Sequence, residues 1–242
     1  MVRWLVWIGL AALVCTSVLL WMNRHRLFRT EAHVDSAIYP VRGIDVSSHN
    51  GNIDFTLLSA DSIRFVIIKA SEGVSLHDKK FRKNYRDAVK SGMKVGAYHF
   101  FRKGSDGEAQ ARNFLSVLKG THLDMPLVID VEDWGNDRGV SDEKAKENLL
   151  AMVSYLNERG LASMIYTNGD GYRKYYMDAL NQLPLWLCSF KNPETLVSTG
   201  HVIQQYSHWG SVDGISGEVD LNVFMGSEEA WNEWINNNQQ DL

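Results

Sequence analysis

Four acidic side chains stand at or near the ends of segments that have the composition of buried β-strands. Asp45 lies in GIDVS, Asp130 and Glu132 lie in LVIDVED, and Asp220 lies in EVDLN. The strand period of two places Asp130 and Glu132 on the same face. Inward-facing ionisable groups are unfavourable for stability but common where an active site lies at the C-terminal end of barrel strands. Their chemistry would be that of paired carboxyl groups, one protonated acid donating to a leaving oxygen and one carboxylate stabilising positive charge.

A purely structural role is the alternative for any one of these acids, for example a salt bridge to Lys69 or a helix cap. Four acids distributed over three strand segments favour an active site over a separate structural role for each acid. Negative charges close together also raise the pKa of one member of the group, as a general acid working near neutral pH requires.

Eight short strand segments alternate with helical patterns and must position these acids. The strand segments are 43–47, 65–70, 94–99, 127–132, 162–167, 185–189, 202–206 and 219–223. One helix is expected to start at Ser141 as N-cap, with Asp142 and Glu143 in its first turn. Residues 207–218 are rich in Gly and Ser without a helical pattern, so the last two strands are expected to form a hairpin. The sequence predicts an α/β fold, a modified (β/α)8-like barrel with an irregular C-terminal part.

An uncharged apolar run covers residues 4–22, and as a helix it would be roughly 28 Å long. That length matches the hydrocarbon core of a bilayer, so one N-terminal transmembrane helix is expected to precede the barrel. A cleaved signal peptide is the alternative, although no small-x-small cleavage site follows the run. We therefore divide the chain into an anchor or signal segment (1–22), a stalk (23–39) and a barrel domain (40–242).

The predicted location is membrane-anchored, with the barrel facing the periplasm or the cell exterior. Arg24, Arg26 and Arg29 follow the apolar run while Arg3 precedes it, so the positive-inside rule slightly favours the opposite orientation. The active site predicted from the four acids requires the extracytoplasmic orientation, and this requirement outweighs the small difference in charge.

Several motifs in a fixed order resemble the glycoside hydrolase family 25 lysozymes, the N-acetylmuramidases also called Chalaropsis-type lysozymes. The motifs are GIDVSSHNGNIDF, FVIIKASEG, KVGAYHFFR, PLVIDVED, MIYTNGDGY, PLWLCSF and QQYSHWGSVDGISGEVDLNVFMG. The resemblance runs from about Gly43 to Gly226. It implies a modified β/α barrel that cleaves the β-1,4 bond between N-acetylmuramic acid and N-acetylglucosamine in peptidoglycan.

The resemblance also implies roles for the acids. Glu132 matches the general acid of the family's Asp-x-Glu pair, and Asp130 matches the member that orients the substrate acetamido group or stabilises charge. Asp45 and Asp220 match the two further acids of the site. Inverting, retaining and acetamido-assisted hydrolysis all stay open at this stage.

Five side chains near strand ends are candidates for sugar binding. They are Tyr98, Tyr166, Trp186, Gln204 and Tyr206. Barrel core is the alternative role for the aromatic ones. His99 could act as a metal ligand beside Asp130 and Glu132, but no HxH or HExxH motif accompanies it, so neither a metal nor a cofactor is expected.

Composition restricts the remaining possibilities. A net charge of -4, from 25 Lys and Arg against 29 Asp and Glu, argues against a nucleic-acid-binding protein. Two cysteines exclude a disulfide-rich scaffold. The expected partners are peptidoglycan strands and, through the N-terminal helix, the membrane, and we expect a monomer. The alternatives are a catalytically silent glycan-binding module and a barrel hydrolase acting on another glycan such as chitin.

Overall fold

Eight β-strands close into a barrel in the computed structural model, which describes residues 32–242. In chain order the barrel strands are β1 (Arg42–Val46), β2 (Ile63–Glu72), β3 (Lys94–Phe100), β4 (Leu127–Asp130), β5 (Ser163–Asn168), β6 (Leu185–Cys188), β7 (Ile203–Gly210) and β8 (Val219–Phe224). Each overlaps one of the eight segments predicted from the sequence. Short strands outside the barrel pair Leu76–His77 with the end of β2 and His122–Leu123 with Gln240–Asp241.

Helices cover the first part of the barrel and become scarce in the last part, as predicted. The helices are α1 (Phe55–Ala60), α2 (Phe81–Lys90), α3 (Gly107–Leu118), α4 (Asp142–Asn157) and α5 (Glu228–Asn237). Gly169–Gly171, a π-helical turn over Tyr172–Tyr176, and Met177–Ala179 together form one helical segment between β5 and β6. Two 3-10 turns, Pro193–Thr195 and Val197–Thr199, connect β6 to β7. The predicted cap of α4 is confirmed, since the Ser141 side chain accepts a hydrogen bond from the backbone N–H of Lys144.

Strand direction determines where the side chains of the site meet. Neighbouring strands from β1 through β7 run parallel, whereas β8 pairs antiparallel with both β7 and β1. The start of β8 therefore lies at the same end of the barrel as the C-terminal ends of the parallel strands. The predicted hairpin of the last two strands is the pair β7–β8, and its loop carries Gly214 and Gly217 at φ +99°.

Side chains of each strand alternate between two apolar layers. In the segment that contains β4, Leu127, Ile129 and Val131 pack in the layer between the sheet and the helices, while Val128 packs inside the barrel. Phe65, Phe224 and Trp231 of α5 lie in contact at the inner layer, with ring centroids 5.0 and 5.2 Å from Trp231. The polar ends of the strands are thereby left on the other side of an apolar floor.

The predicted transmembrane helix is not supported, and the fold prediction that included it is corrected to the barrel. Among residues 32–242 no helix is long and apolar enough to cross a membrane. The longest of those described, α4, has 16 residues and is rich in charged side chains, whereas a span needs about 20 apolar residues. The predicted span at residues 4–22 lies outside the described residues.

Residues 32–39, the last part of the predicted stalk, lie against the barrel. Ala32 donates its backbone N–H to the carbonyl of Tyr206 at 3.5 Å, and His33 donates its backbone N–H to Asn192 at 2.9 Å. Ala32 and Tyr39 are buried beside Tyr206 and Val223.

The contact between α3 and α4 leaves no room for a side chain at Gly107. A Cβ atom at this position would lie 1.8 Å from the carbonyl oxygen of Asn148 in α4. We expect Gly107→Ala to lower the free energy of unfolding by about 1–3 kcal/mol, because the two helix backbones must separate. Urea unfolding would measure it. Gly139→Ala is the control, since its Cβ would make only an ordinary 3.4 Å contact with Asp137, and equal midpoints for the two variants would contradict the prediction.

Candidate active site

A cavity of about 850 Å³ opens at the barrel end where the parallel strands terminate. All four acids predicted from the sequence line it: Asp45, Asp130, Glu132 and Asp220. Asp45 of β1 and Asp220 of β8 are directly opposite each other in the antiparallel ladder. Asp130 is the last residue of β4, and Glu132 follows two residues later. The acids thus come from three strands, β1, β4 and β8, whose ends the barrel brings together.

Asp45 is held by a chain of buried hydrogen bonds. Its Oδ2 accepts from the side-chain amides of Gln205 and Asn222, each at 2.8 Å. Gln205 in turn accepts from the hydroxyl of Tyr166 at 2.7 Å, and Asn222 accepts from the indole N–H of Trp186 at 2.8 Å. Burial raises the pKa of Asp45 well above its ordinary value, and the nearby Asp220 raises it further, although both amides favour the charged form.

Asp130 is buried and incompletely hydrogen-bonded. Its Oδ1 has no hydrogen-bond partner among the described residues, although the residue lines the cavity. Burial, and then repulsion from Glu132, raise the pKa of Asp130 well above its usual range. This Oδ1 is a buried polar atom that the described part of the chain leaves without a hydrogen bond.

Glu132 is partly buried in the lining of the cavity. Burial raises the pKa of its carboxyl group. The positive charge of His208 and a 3.4 Å contact from the Asn168 amide to Oε1 work in the opposite direction. The net effect favours the protonated form over a wider pH range than for an exposed glutamate.

His208 faces the acids from β7, and sequence reasoning did not identify it. Its Nδ1 lies 2.8 Å from Oδ1 of Asp220, and its Nε2 lies 3.8 Å from Sγ of Cys188. The hydrogen bond to Asp220 raises the pKa of His208 to about 10, so the ring is an imidazolium at neutral pH. The positive ring partly offsets the negative charge of this part of the cavity.

The opposite wall carries an ion-paired group. Glu72 accepts from Lys69 Nζ at 2.7 Å and from Arg102, and both cations lie 5.0 Å from the centroid of the Phe100 ring. Lys69 therefore forms its ion pair with Glu72 and not with Asp130 or Glu132, although its positive charge still lowers the pKa of Asp130. At the rim, Trp134 is 78% exposed and lines the cavity.

Comparison with known proteins agrees with this arrangement. The model of the family described as glycosyl hydrolases family 25 matches residues 44–215. The chain belongs to this family. It is similar to the autolytic lysozyme of Clostridium acetobutylicum, with 34% identity over 76% of this chain and 56% of that protein. It is also similar to the N,O-diacetylmuramidase of a Chalaropsis species, with 30% identity over 74% of this chain and 96% of that protein.

A solved structure matches the barrel as well. The family 25 glycosyl hydrolase from Bacillus anthracis has a TM-score of 0.77 and 34% identity, and the match covers 86% of this chain and 98% of that one. The predicted membrane-anchored location is corrected here together with the anchor. The relative from Clostridium is named an autolytic lysozyme, and no helix within residues 32–242 could span a membrane.

The structure separates the five predicted sugar-binding residues of this family 25 barrel into two groups. Tyr98, Tyr166 and Trp186 line the cavity, although Trp186 is only 2% exposed and its N–H is used by Asn222. Gln204 and Tyr206 do not line it. They lie on the other face of β7, where Gln204 donates to the carbonyls of Ser189 and Lys191, because side chains alternate along a strand.

Several cavity residues were missed for identifiable reasons. Gln205 lies between Gln204 and Tyr206, which were both predicted to bind sugar. Only the register of β7 shows that Gln205, and not its two neighbours, faces the cavity. His208 lies at an irregularity, where Ser207 to Gly210 of β7 span Leu221 to Val219 of β8, so that one extra residue re-aims the side chains. Trp134 lies on a loop, where no periodic pattern indicates which way a side chain points.

His99 is not placed to bind a metal beside the acids. It is fully buried on the outer face of β3, where Nδ1 lies 2.8 Å from Ser71 Oγ and Nε2 lies 3.2 Å from Gln110 of α3. Burial lowers the pKa of His99 to about 4, so the ring is neutral. Within residues 32–242 no group of three or more His, Cys, Asp or Glu side chains could hold a metal ion.

Ionised Asp130 lowers the stability of the folded protein, because the folded state raises its pKa. The stability that comes from binding this proton is present below the ordinary value of about 4 and is lost as the pH rises through the raised folded-state pKa. We expect Asp130→Asn to be more stable than the wild type at pH 7 by about 1–3 kcal/mol, and to lose that advantage below about pH 4.

Urea unfolding of both proteins at pH 7 and pH 3.5 tests this expectation. Asp87→Asn is the matched control, since this exposed carboxylate pairs with Lys83 on the surface of α2. Its effect should stay within about 0.5 kcal/mol. An Asp130→Asn variant no more stable than the wild type at pH 7 would contradict the argument.

Proposed function

We propose that this barrel is a muramidase that hydrolyses the β-1,4 bond between N-acetylmuramic acid and N-acetylglucosamine in peptidoglycan. The observation that carries the proposal is the convergence of Asp45, Asp130, Glu132 and Asp220 in one cavity. Membership of family 25 and the similarity to a lysozyme and a muramidase support the same activity. Because all four acids come from a single chain, we propose that the enzyme acts as a monomer.

Glu132 is the general acid in this proposal. Cleavage of a glycosidic bond requires a proton on the leaving oxygen, and the donor must hold that proton at the working pH. Burial favours the protonated carboxyl of Glu132, while Asn168 contacts one of its oxygens and thereby orients it.

The other three acids bind the substrate and stabilise the charge of the transition state in this proposal. Asp130 lines the cavity and would accept a hydrogen bond from the acetamido N–H of the substrate, which is supported by the lack of a partner for its Oδ1 among the described residues. Asp220 is hydrogen-bonded to the imidazolium of His208 and carries the negative charge that an oxocarbenium-like transition state requires. Asp45 lies opposite Asp220 in the β1–β8 ladder and is kept in place by Gln205 and Asn222.

Removing the proposed proton donor should remove most of the activity. We expect Glu132→Gln to lower kcat by about 10²- to 10⁴-fold, the range for losing a general acid. The assay is release of new reducing ends from purified peptidoglycan, with product mass spectrometry to identify the cleaved bond and to separate peptidoglycan from chitin as substrate. Glu147→Gln, on the exposed face of α4, is the control and should retain wild-type kcat. Equal activity of Glu132→Gln and wild type would refute the role of Glu132.

Trp134 is proposed to stack on a sugar ring at the rim. Its indole is exposed, yet the turn that carries it is anchored, because Asn136 donates to the carbonyls of Phe101 and Glu132, each at 2.9 Å, and accepts from the backbone N–H of Lys103. A large exposed ring on an anchored turn is suited to bind a flat apolar sugar face without ordering a loop.

Loss of the Trp134 ring should weaken substrate binding more than it slows the chemical step. We expect Trp134→Ala to raise KM for soluble glycan strands by about 2–10-fold with little change in kcat, and Trp134→Tyr to keep most of the affinity. Steady-state kinetics with glycan strands of defined length would measure both constants. An unchanged KM in Trp134→Ala would exclude a stacking role.

A further inference from the structure

His208 lies among the acids of the cavity, and the roles proposed for the four acids do not assign it a function. Its ring lies between two strands that carry polar groups of the cavity, with Nδ1 on Asp220 of β8 and Nε2 facing Cys188 of β6. Phe190 packs edge-on against it, with ring centroids 4.9 Å apart at 78°. Both nitrogens and one ring edge are therefore engaged, so the orientation of the ring is fixed.

The charged and titratable groups around this ring come from four parts of the barrel. Asp220 accepts its hydrogen bond, Cys188 lies beside Nε2, and the charges of Glu132 and Asp45 also interact with it. The hydrogen bonds to Asp220 and to Cys188 favour the cationic form of the ring. A doubly protonated ring donates from both nitrogens, which fits an acceptor oxygen on one side and a sulfur on the other.

We propose that His208 is a positioning residue, an imidazolium that holds the Asp220 carboxylate at the cavity wall and sets the pH range in which the acids of the cavity work. This inference rests on the proposed muramidase function. His208 acts through Asp220, which it keeps in one orientation, and through Glu132 and Asp45, which its charge favours in their ionised forms. The Cys188 thiol and the Phe190 ring are the second support that stops the imidazole from turning away.

Removing the positive charge of His208 should shift the pKa values of the neighbouring acids in one direction. Without the imidazolium the pKa values of Glu132 and Asp45 both rise, because a nearby positive charge that favoured their ionised forms is lost. The limb of the pH–rate profile that reports ionisation of a carboxylate then moves to higher pH. The limb that reports loss of the proton from the general acid moves in the same direction. A purely structural role would lower the rate without moving both limbs.

The test compares pH profiles of kcat and kcat/KM for wild type, His208→Gln and His208→Lys on solubilised peptidoglycan. His208→Gln can still donate a hydrogen bond but carries no charge, and we expect both limbs to shift upward by about one pH unit together with a fall in kcat. His208→Lys restores a positive charge and should return the limbs toward their wild-type positions. His122→Gln is the matched control, since His122 forms a similar pair with Asp241, at 2.7 Å, far from the cavity lining. Its profile should match the wild type.

The outcomes separate this inference from the proposed function. A wild-type protein that releases no reducing ends at any pH refutes the muramidase proposal itself. An active wild type with unshifted limbs in His208→Gln refutes only the role of His208, as does an equal shift in His208→Gln and His208→Lys. NMR titration of the wild-type imidazole supplies a readout independent of variant folding. A ring that stays protonated above pH 9 and loses its proton at lower pH in Asp220→Asn supports the pair, and a ring that titrates near 6.5 refutes it.

Discussion

The antiparallel pairing of β8 with β1 is the constraint on which the site depends. In a barrel of parallel strands only C-terminal ends reach the active end, and each new strand needs a crossover connection. Reversing the last strand lets the start of β8 reach that end after a short loop, and it places Asp220 directly opposite Asp45. The same reversal makes β7 and β8 a hairpin, whose irregular register turns His208 toward the acids. The strand pairing that closes the barrel therefore also assembles the active site.

Burial of carboxyl groups close together is tolerated because each has a different environment. Asp45 accepts two amide hydrogen bonds, Asp220 is half-exposed and paired with His208, and Asp130 keeps an oxygen without a partner among the described residues. Below them, Phe65, Phe224 and Trp231 close the other end of the barrel with an apolar layer. A low-dielectric floor raises the pKa of the deeper acids and favours their neutral forms. The shallower acid, Asp220, instead has the His208 ring beside it.

The sequence allowed much of this arrangement to be predicted, because strands and inward-facing acids follow local patterns. Alternation along LVIDVE placed Val128 and Asp130 inside the barrel, and the lack of a helical pattern in 207–218 predicted the final hairpin. Local patterns do not specify register across strands. Gln204 was chosen instead of Gln205 for that reason, since a shift of one residue exchanges the faces of a strand. His208 depends on a bulge that exists only when β7 and β8 pair.

Trp186 and Tyr166 illustrate how a residue can line a site without being available to its ligand. Their rings contact each other with centroids 4.4 Å apart, and each uses its one polar hydrogen on an amide that in turn holds Asp45. Substituting either ring would remove a donor from Gln205 or Asn222 and free that amide to rotate away from Asp45. These aromatic residues consequently fix the position of the carboxylate, whereas the indole of Trp134 is exposed at the rim. Solvent exposure, more than residue type, decides which aromatic side chains of this cavity can meet a sugar.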